Sequence, residues 1–457
     1  MVLNPHAWGF HKAFQYALSN STRQRIQHDI FDARYIKQLQ HAKTIMDIRH
    51  IAQQRAHQMI FDYMDGGADD EYTLTRNQQA YQEYEFIQTK TKKPQQHDIN
   101  TTSSSAKKSS LSTNLFGHSV DLPFFSCPTA GNKMFHVQGE EAVAQVAYER
   151  GTVYVMSSLS TTSFDDINKV IPTTTKTTPK VFQLYVWKDR DLVKDLLHQA
   201  KSHGFTGLAL TVDATWMGNR ERDVRNGFSI PPNYSLQQTL QAIRAPAWTW
   251  DFITHDPYSY ACINQDVPAE SLVSFINRQL TPDFSWKDAE WLLGEWTQSP
   301  SDSSNNNSSG GGDNYSVALK GVVRPQDAIH AVEMGFSTIW ISNHGGRQLD
   351  TAPATLSVLP SMKEAVKVGN VTLIIDGGIQ SGADIATALA LGADGVGIGK
   401  PYLWGLCAGG YEGVNKVFQI LQTELEQTMQ EWNVASIGDL KVRGRELLLH
   451  KECDEVQ

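Results

Sequence analysis

Eight short apolar runs, most of them separated by longer segments of helical pattern, restrict this chain to a small set of folds. The runs are Pro123–Cys127, Thr152–Met156, Val181–Leu184, Gly207–Val212, Ser316–Leu319, Thr338–Ile341, Val371–Ile375 and Gly395–Ile398. Each is too short for a helix and is apolar throughout rather than alternating, the pattern of a strand buried on both faces. Between them lie Glu140–Arg150, Leu192–His203, Pro325–Met334 and Ser381–Leu391, which carry apolar residues at helical spacing. Such alternation builds a parallel sheet covered by helices. Eight strand–helix units closing on themselves predict an α/β fold of the (β/α)8 TIM barrel type. An open doubly wound sheet competes, but no Gly-x-Gly-x-x-Gly turn follows the first run.

A barrel of this kind gathers reactive groups where its strands end. The first run is followed by Pro128-Thr129-Ala130, the second by Ser157-Ser158, and the third offers Gln183 and Tyr185. The fourth offers Thr211 and Asp213, the fifth Lys320, and the sixth Ser342, His344 and Arg347. The last two give Asp376-Gly377-Gly378 and Gly399-Lys400. Polar groups at nearly every strand end fill a core poorly, so a ligand site is predicted there.

The chain's 457 residues and 40% hydrophobic content suffice for one large barrel, and its formal charge of −9 argues against a general nucleic-acid binder. Cys127, Cys262, Cys407 and Cys453 are scattered without a C-x-x-C pair, so reduced thiols in a cytoplasmic setting are expected and no metal site is. Neither a signal-peptide core nor a run of eighteen apolar residues is present. Residues 1–45 read as a polar N-terminal extension and 46–457 as the barrel domain. Ile45 to Tyr63 predicts one helix stopping at Gly66-Gly67. Low-complexity insertions are placed near 91–118 and 297–315, and a long active-site loop at 228–286.

The segment Ser342-Asn343-His344-Gly345-Gly346-Arg347 sets a potential base and a fixed cation just past a strand, on glycines that allow a close turn. Alone it reads more readily as a surface loop. With the other strand ends it suits removal of a proton from a substrate that carries a carboxylate. The glycines after the last two strands, with Lys400, occupy the usual phosphate corner of such barrels, although each is also an ordinary tight turn. Lys320 is either a rim residue or a buried cation facing an anionic ligand atom. Asp213 is either a cap or the partner of a protonated imidazole. Arg220 lies in a charge-dense loop where a solvated role competes with carboxylate binding. Tyr63 and Tyr185 read equally as packing residues.

Assembled, these residues make the chain resemble the FMN-dependent 2-hydroxy acid oxidizing family, which includes glycolate oxidase, L-lactate dehydrogenase and mandelate dehydrogenase. The resemblance runs from about Ile45 to Leu440. It rests on Phe61-Asp62-Tyr63 with Gly66-Gly67-Ala68-Asp69-Asp70-Glu71, on Gln183-Leu184-Tyr185, and on Thr211-Val212-Asp213 with Gly218 and Arg220-Glu221. Leu319-Lys320-Gly321, Ser342 to Asp350 and Asp376-Gly377-Gly378 complete it. The resemblance implies that His344 is the base and Asp213 the support of its imidazolium. It implies Arg347, Arg220 and Tyr63 at the substrate carboxylate and Tyr185 at its hydroxyl. Ala130, Ser157, Gln183, Thr211, Lys320 and Ser342 are implied around FMN, Asp376 near its ribityl chain, and Gly377, Gly378, Gly399 and Lys400 at or beside its phosphate. A homotetramer is implied as well.

The chain departs from the family at Gln380 and Lys400, where arginines are usual, which removes a charge and a guanidinium fork from the phosphate clamp. Leu159 stands where glycolate oxidases carry a tryptophan, leaving room for a methyl or larger substrate side chain. The aromatic stretch Ala245–Ile253 resembles quinone-linked lactate dehydrogenases and reads either as a lid or as a peripheral membrane contact. The expected activity is oxidation of a lactate-like L-2-hydroxy acid, with electrons passed to quinone. An oxidase that uses O2 and makes H2O2, and a flavin-binding scaffold without turnover, are the alternatives. Removal of the α-proton and hydride transfer need the same base, and both stay open.

Overall fold

Eight parallel strands close into a barrel: β1 (Phe124–Ser126), β2 (Tyr154–Ser157), β3 (Lys180–Tyr185), β4 (Gly207–Thr211), β5 (Ser316–Val322), β6 (Thr338–Ile341), β7 (Thr372–Asp376) and β8 (Gly395–Ile398). Each pairs with the next, and β8 returns to β1. The computed structural model describes residues 17–87, 110–173, 178–185, 187–228, 236–255, 259–263, 279, 283–297, 315–367 and 371–451. Each apolar run of the sequence holds one of these strands, with ends displaced by up to three residues. The predicted TIM barrel is therefore what the chain forms.

Side-chain alternation divides the core in two. Phe125, Val155, Val181, Ala209, Ala318, Trp340 and Ile374 form an inner cluster. Their strand neighbours, such as Met156, Phe182, Leu208 and Ile375, belong to a larger cluster shared with the helices. Burial of both faces is why the runs show no alternation in sequence. Register places Tyr185 opposite Thr211, and Thr211 opposite Lys320, so these residues share one tier at the strand ends.

Two expectations need correction here. Ile45 to Tyr63 is not one helix: Ile45–Arg55 ends, and α1 (Gln58–Asp65) begins after extended backbone at Ala56 and His57. His57 caps α1 by accepting the Met59 N–H on Nδ1 at 3.2 Å, while Nε2 lies 3.0 Å from the Gln238 carbonyl oxygen. The insertion placed near 91–118 also reaches too far. Thr113–Leu115 and His118–Val120 form a hairpin that contributes Leu115, Phe116 and Val120 to the inner cluster. It closes the barrel at the strand starts, where Leu115 lies against Gly395 and His118 meets Thr206 at 3.0 Å. Residues 88–109 and 298–314 lie outside the described residues, as does Cys453.

α2 (Glu221–Arg225) precedes the long active-site loop, which contributes α3 (Leu236–Arg244) and α4 (Pro246–Thr254); much of 228–286 lies outside the described residues. The aromatics of α4 pack against neighbouring parts of the chain. Trp248 is buried, donates to the Met134 carbonyl oxygen at 2.8 Å and stacks on Phe252, while Trp250 stacks on Phe31. Below them Arg55 is fully buried and bridges Asp32 (2.7 Å) and Asp251 (3.4 Å), tying the N-terminal extension to α4. Removing one partner of such a buried pair costs roughly 3–5 kcal/mol. After β8 the chain enters α5 (Lys400–Glu431), a long helical stretch kinked at Gly409-Gly410.

Candidate active site

The loop after β6 runs through left-handed backbone. His344 has φ 58°, followed by Gly345 at 64° and Gly346 at 75°. A left-handed residue other than glycine costs about 1–2 kcal/mol, so the surroundings must impose it. They do so at several points. The His344 N–H donates to Ser342 Oγ (3.1 Å), and the Gly346 N–H to the Asn343 carbonyl oxygen. Asn343 and Asn77 exchange side-chain hydrogen bonds of 2.9 and 2.8 Å. His344 is thereby held with Nδ1 2.9 Å from Asp213 Oδ1, leaving Nε2 for the cleft.

A bulge in β5 makes room for that pair. Gly321 has φ 101°, and a Cβ there would stand 2.6 Å from the Asp213 Cβ. Asp213 Oδ2 is buried with no hydrogen-bond partner among the described residues. Burial alone would raise the Asp213 carboxyl, but the His344 and Lys320 charges and the imidazole hydrogen bond outweigh it and hold it below its ordinary value. Burial lowers the His344 imidazole, and Asp213 offsets this only in part. At neutral pH the pair is thus a carboxylate beside a neutral imidazole, the state a base requires.

Two guanidinium groups face the same cleft. Arg347 Nη1 donates to the Tyr63 (2.7 Å) and Gly66 (3.0 Å) carbonyl oxygens at the end of α1. Burial, then repulsion from Arg220, brings Arg347 down to about 10. Arg220, the residue before α2, makes among the described residues only long bonds of 3.4 Å, to the Arg347 carbonyl oxygen and Gln348 Oε1. The Asp223 carboxylate offsets this repulsion only in part, so an anion in the cleft would gain from both guanidinium groups. Tyr63 stacks on Phe228 with centroids 4.4 Å apart. Tyr185 also lines the cleft, its phenol pushed up to about 12 by burial.

Across the cleft, buried Lys320 donates to Ser342 Oγ (3.0 Å) and lies 3.6 Å from Asp376 Oδ2. Asp376 also accepts from Ser342 (2.8 Å) and Trp340 Nε1 (2.9 Å). Burial opposes the Lys320 charge, but Asp376 and Asp213 overcome it and keep the ammonium charged. A second polar string crosses the strands: Ser157 donates to Gln183 Oε1 (3.0 Å), and Gln183 Nε2 to Thr211 Oγ1 (2.9 Å).

The cleft, about 1380 Å³ when the open solvent at its mouth is included, is lined by Tyr63, Ala130, Tyr185, Arg220, Lys320, His344 and Arg347. Asp376, Gly377, Gly378, Gly399 and Lys400 line it as well, with Leu159 and Gln380. Asp213, Ser157, Gln183, Thr211 and Ser342 are not among its walls; Asp213 and Ser342 bond the wall residues His344 and Lys320, and Ser157 Oγ accepts the N–H of the wall residue Leu159 at 3.1 Å. Gly378 has φ 84° and packs so tightly that a Cβ would fall 2.0 Å from the Asn77 carbonyl oxygen, whereas a Cβ on Gly399 would meet nothing within 4 Å. Open space beside a helix start, with Lys400 there, suits an anionic group. Burial, then Arg347, pushes Lys400 down to about 7. Asn77 and Phe228 support the site but carry no sequence signal, since each acts on a partner far away in the chain, whereas Gln348 lies within Ser342–Asp350 and takes no role from the resemblance.

Comparison with known proteins follows the same lines. A family model described as FMN-dependent dehydrogenase matches residues 52–446. An L-lactate oxidase from a Nostoc species is 36% identical over 402 residues, covering 87% of this chain and 96% of that protein. Glycolate oxidase 3 of Oryza sativa subsp. indica is 34% identical over 397 residues, 87% of this chain and 94% of that protein. The crystal structure of the monotopic membrane protein (S)-mandelate dehydrogenase superposes with a TM-score of 0.77 at 28% identity, covering 90% of this chain and 99% of that one.

Proposed function

Because this chain belongs to the FMN-dependent dehydrogenase family, we propose that it oxidizes a lactate-like L-2-hydroxy acid to the 2-oxo acid, with quinone as the electron acceptor. The observation that carries this reading is the convergence of His344, Arg347 and Arg220 on one cleft, with Asp213 behind the imidazole. FMN fits the remaining walls: Lys320 supplies a buried cation, and Gly378, the open space at Gly399, the start of α5 and Lys400 form a cradle for its phosphate. Bound FMN supplies the two-electron acceptor for the reaction. The protein's own work is to bind, orient and deprotonate. Arg347 and Arg220 pair with the carboxylate, supported by Tyr63. Tyr185 donates to the substrate oxygen, and His344 takes up one substrate proton, its imidazolium then stabilised by Asp213.

Leu159 lines the cleft, which supports a substrate side chain larger than hydrogen. L-Lactate should therefore be turned over with a higher kcat/KM than glycolate, and the reverse order in steady-state assays would count against this assignment. The similarity to an L-lactate oxidase favours a second reading, with O2 as acceptor. Oxygen uptake with lactate, compared with reduction of a soluble quinone analogue, separates the two.

Peripheral membrane contact is a further part of the proposal. Its support lies not in α4 but in Trp216 (70% exposed) and Leu349 (75%) near the cleft and in Ile243 (72%) on α3. No described helix is long and apolar enough to cross a membrane. Co-sedimentation with lipid vesicles that is lost on Trp216→Ser checks it. The homotetramer rests on the family resemblance alone, and light scattering would test it.

Lys400 makes FMN affinity pH-dependent. An amine brought down to about 7 in the free protein is re-protonated when it meets a phosphate, so binding takes up a proton above pH 7. Affinity should be level below that value and fall by up to about tenfold per pH unit above it. Titrating apoprotein with FMN by fluorescence quenching from about pH 7 to about pH 9 measures the slope. A flat profile would remove Lys400 from the phosphate.

A further inference from the structure

We propose that Arg222 is a positioning residue for substrate binding, latching α2 to the end of α1; this rests on the carboxylate reading of Arg220 and Arg347. Arg222 is not among the residues that line the cleft. Its Nη1 lies 3.2 Å from Asp65 Oδ2, and its Nη2 donates to Glu71 Oε2. Both acceptors are fixed in turn. Asp65 receives two bonds of 2.7 Å from Arg49, and Glu71 Oε1 accepts the Gly67 N–H at 2.9 Å. Asn226 adds a 2.8 Å bond to Asp62, and Asn219 a 2.6 Å bond to Asp69.

The latch matters because of what α2 carries. Arg220 precedes it and Phe228 follows it, and Phe228 stacks on Tyr63 of α1 at 10° between ring planes. Arg347 is tied to α1 directly, through the Tyr63 and Gly66 carbonyl oxygens. Among the described residues Arg220 has no such anchor, since its own bonds are both 3.4 Å long. Its placement comes from the backbone of α2, and the side chain that docks this backbone on α1 with charge is Arg222. One helix end thereby sets the spacing of both cations and of the Tyr63 ring.

The test uses FMN-loaded Arg222→Met, Arg222→Lys and Arg225→Gln beside wild type, titrated with pyruvate by perturbation of the flavin spectrum and assayed with L-lactate. For Arg222→Met the pyruvate Kd and the lactate KM should rise together by about tenfold, with kcat within about twofold, because misplacement weakens the carboxylate contacts in every bound state. Flavin content and melting temperature should match wild type. Arg222→Lys should recover most of the loss, and Arg225→Gln, whose partner Glu221 lies on its own helix, should change nothing. Unchanged pyruvate affinity in Arg222→Met would overturn the proposal. So would a loss shared with flavin content and melting temperature and not recovered by lysine. If wild type itself binds no 2-oxo acid, the functional reading fails rather than the latch.

Discussion

Replacing His344 with glutamine should leave a folded, yellow protein whose kcat falls by about four orders of magnitude, the upper range for loss of a general base. The geometry argues for a loss confined to chemistry. His344 contributes one hydrogen bond to Asp213, and the loop around it is held by Asn77, Asn343 and Ser342 rather than by the imidazole. Glutamine can donate to Asp213 but cannot accept a proton. The left-handed backbone at this position adds only a small penalty for the exchange. The same residue sets the acid limb of the wild-type pH profile. Activity needs the neutral ring, so kcat/KM is lost as pH falls through the His344 pKa, which burial holds below the ordinary imidazole value. The profile should be level through neutrality and descend only below that value. A variant that loses its flavin or its fold would make His344 a structural residue.

Arg347→Lys should reduce kcat/KM by about two orders of magnitude, with KM and kcat both affected, despite the retained charge. The guanidinium does two tasks at once. Nη1 is committed to the Tyr63 and Gly66 carbonyl oxygens, while Nε and Nη2 make no bond to the described residues. A fork holds its protein anchor and a carboxylate together; an ammonium on a flexible stem must give up one of them. A charged hydrogen bond is worth about 1.5–3 kcal/mol, which corresponds to that loss. Stopped-flow flavin reduction measured against lactate concentration separates binding from the chemical step. Unchanged kinetics would take Arg347 out of the carboxylate site.

The barrel was legible because its strands are buried on both faces, which leaves short unbroken apolar runs such as Thr338–Ile341 that match the observed strand. The cleft was legible because a parallel barrel places Tyr185, Lys320, His344 and Lys400 at one end by topology alone. What escaped was structure that depends on distant partners. The break at Ala56-His57 is invisible in the apolar spacing, since both flanking helices bury the same kind of residue. The hairpin at 113–120 hides its three core residues in a polar stretch too short to show a period. Trp248 and Trp250 read equally as interfacial or inward until Met134 and Phe31 are seen against them. Arg222 and Asn77 are ordinary polar residues whose importance comes from partners far away in the chain.

Anaerobic mixing of the FMN-loaded protein with L-lactate, followed at the visible flavin band, is the most direct test of the proposed chemistry. Rapid bleaching with the L-acid, no bleaching with its D-enantiomer and recovery of colour when an acceptor is admitted are the predicted results. A flavin that stays oxidized with L-lactate and with every other 2-hydroxy acid would contradict the assignment of His344, Arg220 and Arg347 to this reaction.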